Sequence, residues 1–174
     1  MTIITYANNT LWADTMGIEN VGHSDVFNSS PKIFRSPCNR FAYGTSGTVL
    51  SGNQTQRMLN LFTMYLNLYY VEDQVPMIPN KIYDDNKATL GETILITKTD
   101  LWVITAATGM SMHTDLGSCI SLGSGSEYFT AAIILGKTVK QAMQSAMDNS
   151  PSCGGELMTI TQKSLKPFKI VGAK

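Results

Sequence analysis

The sequence predicts an α+β fold in which sheets built from hairpins are covered by helices. Three observations carry this. Segments rich in β-formers come in adjacent pairs split by turn signals. One long stretch in the first half changes to a helical period. Two short helical stretches follow one another late in the chain, before a last strand. Strands grouped in hairpins argue against a doubly wound parallel sheet, in which strand and helix alternate. At 174 residues the chain is expected to be a single domain over 1–174.

Each element has a local reason. Residues 2–7 (Thr-Ile-Ile-Thr-Tyr-Ala) are β-formers, Asn8-Asn9 is a turn signal, and residues 10–15 read as the returning strand. Residues 24–31 are polar and read as a loop; residues 32–35 and 40–44 read as two short strands. From 54 to 70, apolar residues fall at Met58, Leu61, Phe62, Tyr65, Leu66 and Tyr69, the three-and-four spacing of an amphipathic helix. Its Met and aromatic stripe reads as core, with Leu68 and Tyr70 free to meet a neighbouring subunit. Pro76, Pro79 and Asp84-Asp85-Asn86 mark a loop. Residues 92–98 and 101–106 form a second hairpin around Lys98-Thr99-Asp100, and residues 119–122 form a strand that runs into Gly123-Ser124-Gly125-Ser126. A helix over 127–135 follows, with Ser126 as its expected N-cap; another spans 138–147 and a strand spans 156–161.

Composition narrows the function. The chain is 43% hydrophobic and 15% charged, which suits a packed fold rather than a disordered one. Thirteen basic residues balance thirteen acidic ones, so the basic footprint of a nucleic-acid binder is missing. No apolar run reaches the roughly eighteen residues of a membrane span, and the N-terminus lacks a signal-peptide pattern. The three cysteines are far apart and odd in number, which gives no disulfide framework and points to the cytoplasm. His23 and His113 are too few for a His-rich metal site and read as surface or turn residues. No metal or cofactor is expected. Gly123-Ser124-Gly125 before a helix lacks the third glycine of a dinucleotide fingerprint, since Tyr128 stands there.

The ordered pieces Thr2-Ile3-Ile4-Thr5, Ala13-Asp14, Lys32-Ile33-Phe34, residues 42–47 (Ala-Tyr-Gly-Thr-Ser-Gly), residues 122–126 (Leu-Gly-Ser-Gly-Ser) and residues 152–155 (Ser-Cys-Gly-Gly) resemble the proteasome β-subunit family, and within it the HslV-like peptidases. The resemblance implies a four-layer αββα sandwich of the N-terminal nucleophile hydrolase type and assembly into homo-oligomeric rings. It also implies an ATPase unfoldase partner and unfolded polypeptide as substrate. In active members an N-terminal threonine attacks the peptide and its own α-amine is the base. A hydroxyl is a poor nucleophile until a base takes its proton, and an α-amine titrates at about 7.7–8.0, near working pH. Carried over, Thr2 is the candidate nucleophile, Asp14 and Lys32 the acid–lysine pair, the Gly47 N–H the oxyanion donor and Ser124 the serine that supports the amine.

Two departures accompany the resemblance. Aligned without a gap, Thr2 falls on the family's second threonine and Met1 falls on the nucleophile; removal of Met1 is needed to free Thr2. At the late site Cys153 replaces a serine and Ser150 stands where an aspartate is expected, with Asp148 and Ser152 as neighbours that a local insertion would bring into those roles. Three functions follow. One is a threonine peptidase conditional on Met1 removal. The second is a non-catalytic proteasome-like scaffold, for example in a virus, located in the cytoplasm of its host. The third is an amidase acting on a small molecule.

Overall fold

In the computed structural model the described residues are 2–21, 24–47, 51–72, 91–105, 109–113, 117 and 119–168. The loop expected around Pro76 and Pro79, together with Met1 and His23, lies outside them. Among the described residues the strands are β1 (Ile3–Ala7), β2 (Thr10–Asp14), β3 (Met16–Val21), β4 (Ser24–Ser29), β5 (Ile33–Arg35), β6 (Phe41–Ser46), β7 (Glu92–Thr97), β8 (Leu101–Thr105), β9 (Gly109–His113), β10 (Ile120–Gly123) and β11 (Leu157–Thr161). The helices are α1 (Gly52–Glu72), α2 (Ser126–Ile134) and α3 (Val139–Asn149).

Two antiparallel sheets stack face to face, one ordered β10-β1-β2-β11 and the other β5-β6-β7-β8-β9. Their facing sides meet in a core of Ile4, Tyr6, Leu11 and Ala13 against Ile33, Ala42, Ile94, Ile96 and Leu101. The outer faces are covered by helices. Phe41, Tyr43, Leu95, Trp102 and Ile104 pack under Met58, Phe62, Tyr65 and Leu66 of α1. Ile3 packs under Phe129 and Ala132 of α2 and Ala142, Met143 and Ala146 of α3. The layers therefore run helix, sheet, sheet, helix pair, the expected αββα sandwich. The period-two alternation of a strand explains the sequence: Ile4 and Tyr6 enter the central core while Ile3 enters the helix layer, so β1 is buried on both faces and reads as continuous β-formers. Truncating Phe62, fully buried in the α1 core, to Ala costs about 3–5 kcal/mol.

Local chemistry fixes the ends. Asn8 and Asn9 both have positive φ (52° and 55°), the backbone a two-residue hairpin demands and Asn tolerates. Thr138 and Gln141 form a reciprocal capping box on α3.

Several expectations are corrected. Residues 24–29, read as loop, form β4 and pair with β3 as a separate two-stranded arm. His113 lies in a strand, β9, at the edge of the second sheet. The first helix extends to Gly52–Glu72. Ser126 is not the N-cap of α2: Gly125 caps it, without a side-chain bond, and Ser126 is already helical. The reason is space. A Cβ at Gly125 would lie 2.8 Å from Cys153 Sγ and 3.0 Å from Ile3 Cβ, so the capping position admits no side chain.

Candidate active site

β1 and β2 are antiparallel neighbours with Ile4 opposite Ala13, which brings Asp14 at the end of β2 beside the start of β1. The Asp14 carboxylate is fully buried. Its Oδ1 accepts from the Ile3 N–H at 3.1 Å, the Lys32 ammonium at 3.0 Å and the Thr2 hydroxyl. Its Oδ2 accepts from the Gly154 N–H at 3.0 Å. Four donors from three chain segments thus converge on one side chain.

Lys32 precedes β5, and its side chain is 8% exposed. It donates to the Met16 carbonyl as well as to Asp14. Burial pushes its amine below the usual lysine value, an effect opposed by the charge of Asp14 and the hydrogen bond to it. Met16 in turn opens the β3–β4 arm, whose root is fastened to the late turn: the Thr15 and Met16 N–H groups both donate to the Gly154 carbonyl, at 3.2 and 3.0 Å.

Thr2 is buried, 1% exposed. Its carbonyl accepts from the Ser124 hydroxyl at 3.4 Å and from the Gly125 N–H at 3.5 Å. Gly123, paired with Ile3 across β10 and β1, has φ +94°, and a Cβ there would collide with the Thr2 carbonyl oxygen. Only glycine lets the turn approach this closely.

The structure therefore brings together four of the five residues singled out by sequence: Thr2, Asp14, Lys32 and Ser124. The fifth, Gly47, is exposed and follows Ser46 at the end of β6. Its φ is +121°, with open space where a Cβ would be, so its backbone conformation and not packing calls for glycine.

The late turn departs from its expected composition in a physical way. Cys153 is buried, with Sγ 3.9 Å from Ser124 Oγ, and burial raises its thiol pKa above the usual value. Ser150 caps the C-terminus of α3, and its carbonyl accepts from the Cys153 N–H at 3.1 Å. Ser152 is buried beside them. Asp148 is exposed on α3 and accepts from Gln144 Nε2 at 2.8 Å. The carboxylate that meets this turn is Asp14, through the Gly154 N–H.

Sequence reasoning missed the backbone members of this cluster, namely the Ile3 and Gly154 N–H groups and the Met16 carbonyl, because every residue carries such groups and no residue type marks them. It also missed Glu92, read only as the start of a strand. Its Oε2 accepts from Ser46 Oγ at 3.2 Å and from the Gly123 N–H at 3.1 Å. Among the described residues, no group of three or more His, Cys, Asp and Glu side chains forms a metal site, and no helix is long and apolar enough to cross a membrane.

The stacked sheets and the outer helices give the chain a proteasome-like and HslV-like fold. Among solved structures the chain is similar to the eukaryotic HslV of Trypanosoma brucei, with a TM-score of 0.59 and 16% identity over 91% of this chain and 97% of that one. It is also similar to BPH of Thiobacillus denitrificans, with a TM-score of 0.54, 12% identity, and 91% of this chain and 95% of that one covered. The same protein in complex with epoxomicin gives a TM-score of 0.53 at 12% identity, with 91% and 96% covered. No protein-family model matches the sequence, and no curated protein matches it. The resemblance read from the sequence thus holds at the level of the fold.

Proposed function

We propose that the chain is a ring-forming proteasome-like subunit whose peptide hydrolysis is conditional on Thr2 becoming the first residue. The observation that carries this reading is the shared oxygen: buried Asp14 Oδ1 accepts from both the Thr2 hydroxyl and the Lys32 ammonium. With Met1 removed, the Thr2 α-amine takes the hydroxyl proton as Oγ1 bonds to the substrate carbonyl carbon. Positive Lys32 nearby holds that amine in its neutral form, and Asp14 holds Lys32. The Gly47 N–H stabilises the oxyanion, the C–N bond breaks as the amine returns its proton to the leaving group, and water hydrolyses the ester. The resemblance to HslV-like peptidases implies unfolded polypeptide delivered by an ATPase as the substrate class.

The test is intact-mass measurement of the untagged chain before and after incubation with epoxomicin, the compound bound by BPH, beside a peptide-hydrolysis assay. The reading expects a mass short by one methionine, an added inhibitor mass and turnover. A processed chain that neither hydrolyses peptides nor takes the inhibitor refutes it.

One observation favours a second reading, a non-catalytic ring scaffold. Thr2 is buried and its hydroxyl and carbonyl are both committed to internal hydrogen bonds, as expected of a second residue rather than an attacking one. This reading expects retained Met1 and an intact ring by native mass spectrometry, with no turnover.

A further inference from the structure

The two stacked sheets meet at the candidate site through one carboxylate. Glu92 opens β7 directly opposite Ser46, the last residue of β6. Its Oε2 accepts from Ser46 Oγ in its own sheet and from the Gly123 N–H of β10 in the other. Each donor adjoins a residue of the candidate site: Ser46 precedes Gly47, and Gly123 precedes Ser124. The corner is tight. A Cβ at Gly123 would come within 3.2 Å of Ser46 Cβ, and one at Gly91 within 2.5 Å of the Ser46 carbonyl oxygen. Glu92 itself is exposed, so burial of its own side chain does not account for a glutamate there.

We propose that Glu92 is a positioning residue that clamps the strand end carrying Gly47 to the turn carrying Ser124, and so sets the separation between the oxyanion side and the Thr2 side of the site. A single acceptor oxygen shared by two donors fixes both donors relative to one point, and a hydrogen bond to a charged group is among the stronger ones. The catalytic part of this inference rests on the hydrolytic reading; the clamp itself does not.

The experiment compares the full chain with Glu92→Ala and Glu92→Gln by hydrogen exchange of the segment containing Gly123, and by kcat and KM on a peptide. The amide variant keeps an acceptor oxygen at the same reach. In Glu92→Ala, exchange at Gly123 is expected to rise about tenfold, and kcat to fall about tenfold with KM unchanged, as for loss of one charge-assisted bond. Glu92→Gln restores most of both. Unchanged exchange in Glu92→Ala overturns the clamp, and raised exchange with unchanged kcat overturns its positioning role. If the wild-type chain shows no turnover, the hydrolytic reading fails on that result, and exchange at Gly123 alone then upholds or overturns the clamp.

Discussion

Removing the Asp14 carboxylate is the most informative single perturbation of the fold. Asp14→Ala strips the acceptor from four donors at once. Deleting one partner of a buried ion pair costs about 3–5 kcal/mol, because the other charge stays behind in a site that is poorly solvated. The Ile3 and Gly154 N–H groups each lose their acceptor, at about 1–3 kcal/mol apiece. The low ends of these ranges already come to about 5 kcal/mol, comparable to the whole stability of many domains. Lys32→Met is milder. It leaves Asp14 with the donors from Thr2, Ile3 and Gly154, so the remaining carboxylate is still well bonded, and the cost is about 2 kcal/mol. Urea unfolding at one fixed protein concentration, so that assembly contributes equally, measures both variants. The expected order is wild type, then Lys32→Met, then Asp14→Ala. An Asp14→Ala chain within 1 kcal/mol of wild type, or one more stable than Lys32→Met, refutes the claim that this carboxylate ties the segments together.

Three further outcomes follow from the same geometry. Burial lowers the Lys32 pKa from 10.5, so between its folded value and 10.5 the unfolded chain binds a proton that the folded chain does not. The stability advantage of wild type over Lys32→Met therefore grows as pH rises through that window, and paired unfolding curves up to pH 10.5 check the sign. Cys38 and Cys119 are exposed whereas Cys153 is buried; desolvation raises the thiol pKa of both Cys119 and Cys153, so access is what sets Cys153 apart. A thiol reagent at pH 8 should titrate the first two rapidly and reach Cys153 only after denaturation; rapid reaction of all three in the native state contradicts the packing. Gly125→Ala drives a methyl into Cys153 Sγ and should destabilise by about 1–3 kcal/mol, and Cys153→Ala in the same chain should recover part of that loss. A double-mutant cycle with no coupling shows that the clash lies elsewhere.

What the sequence made legible follows from which interactions leave a residue-type signature. The α1 stripe of Met58, Phe62, Tyr65 and Leu66 faces one sheet, so its helical period was plain and only its ends extended beyond expectation. The β3–β4 arm was hidden for the opposite reason. β4 has Phe27 61% exposed, with Asn28 and Ser29 exposed beside it, so no buried face imposes an alternating apolar pattern there. β9, at a sheet edge, reads Gly-Met-Ser-Met-His and lacks β-branched residues. At α2 the cap preference pointed to Ser126, while contact with Cys153 and Ile3 decided for Gly125. Asp14, Lys32 and Ser124 stood out only through their order in a family pattern. Their backbone partners, the Ile3 and Gly154 N–H groups on Asp14, the Met16 carbonyl on Lys32 and the Thr2 carbonyl on Ser124, became visible only when the sheets were assembled.

That convergence bears on what the cluster implies about turnover. Asp14 joins β1, the start of β5 and the late turn, so folding alone is a sufficient reason for a carboxylate at position 14. Its presence therefore does not argue for hydrolysis. Lys32 is different. Burial of its ammonium opposes what the pairing with Asp14 contributes. The fold keeps three donors on Asp14 without it. A buried lysine held beside a threonine hydroxyl is thus the feature that stability explains least and hydrolysis explains most. Lys32→Met separates the two: in the hydrolytic reading it retains the fold and assembly while turnover falls by about a hundredfold or more. The stability loss of about 2 kcal/mol is common to both readings, and in the scaffold reading turnover does not change, because the wild-type chain has none to lose.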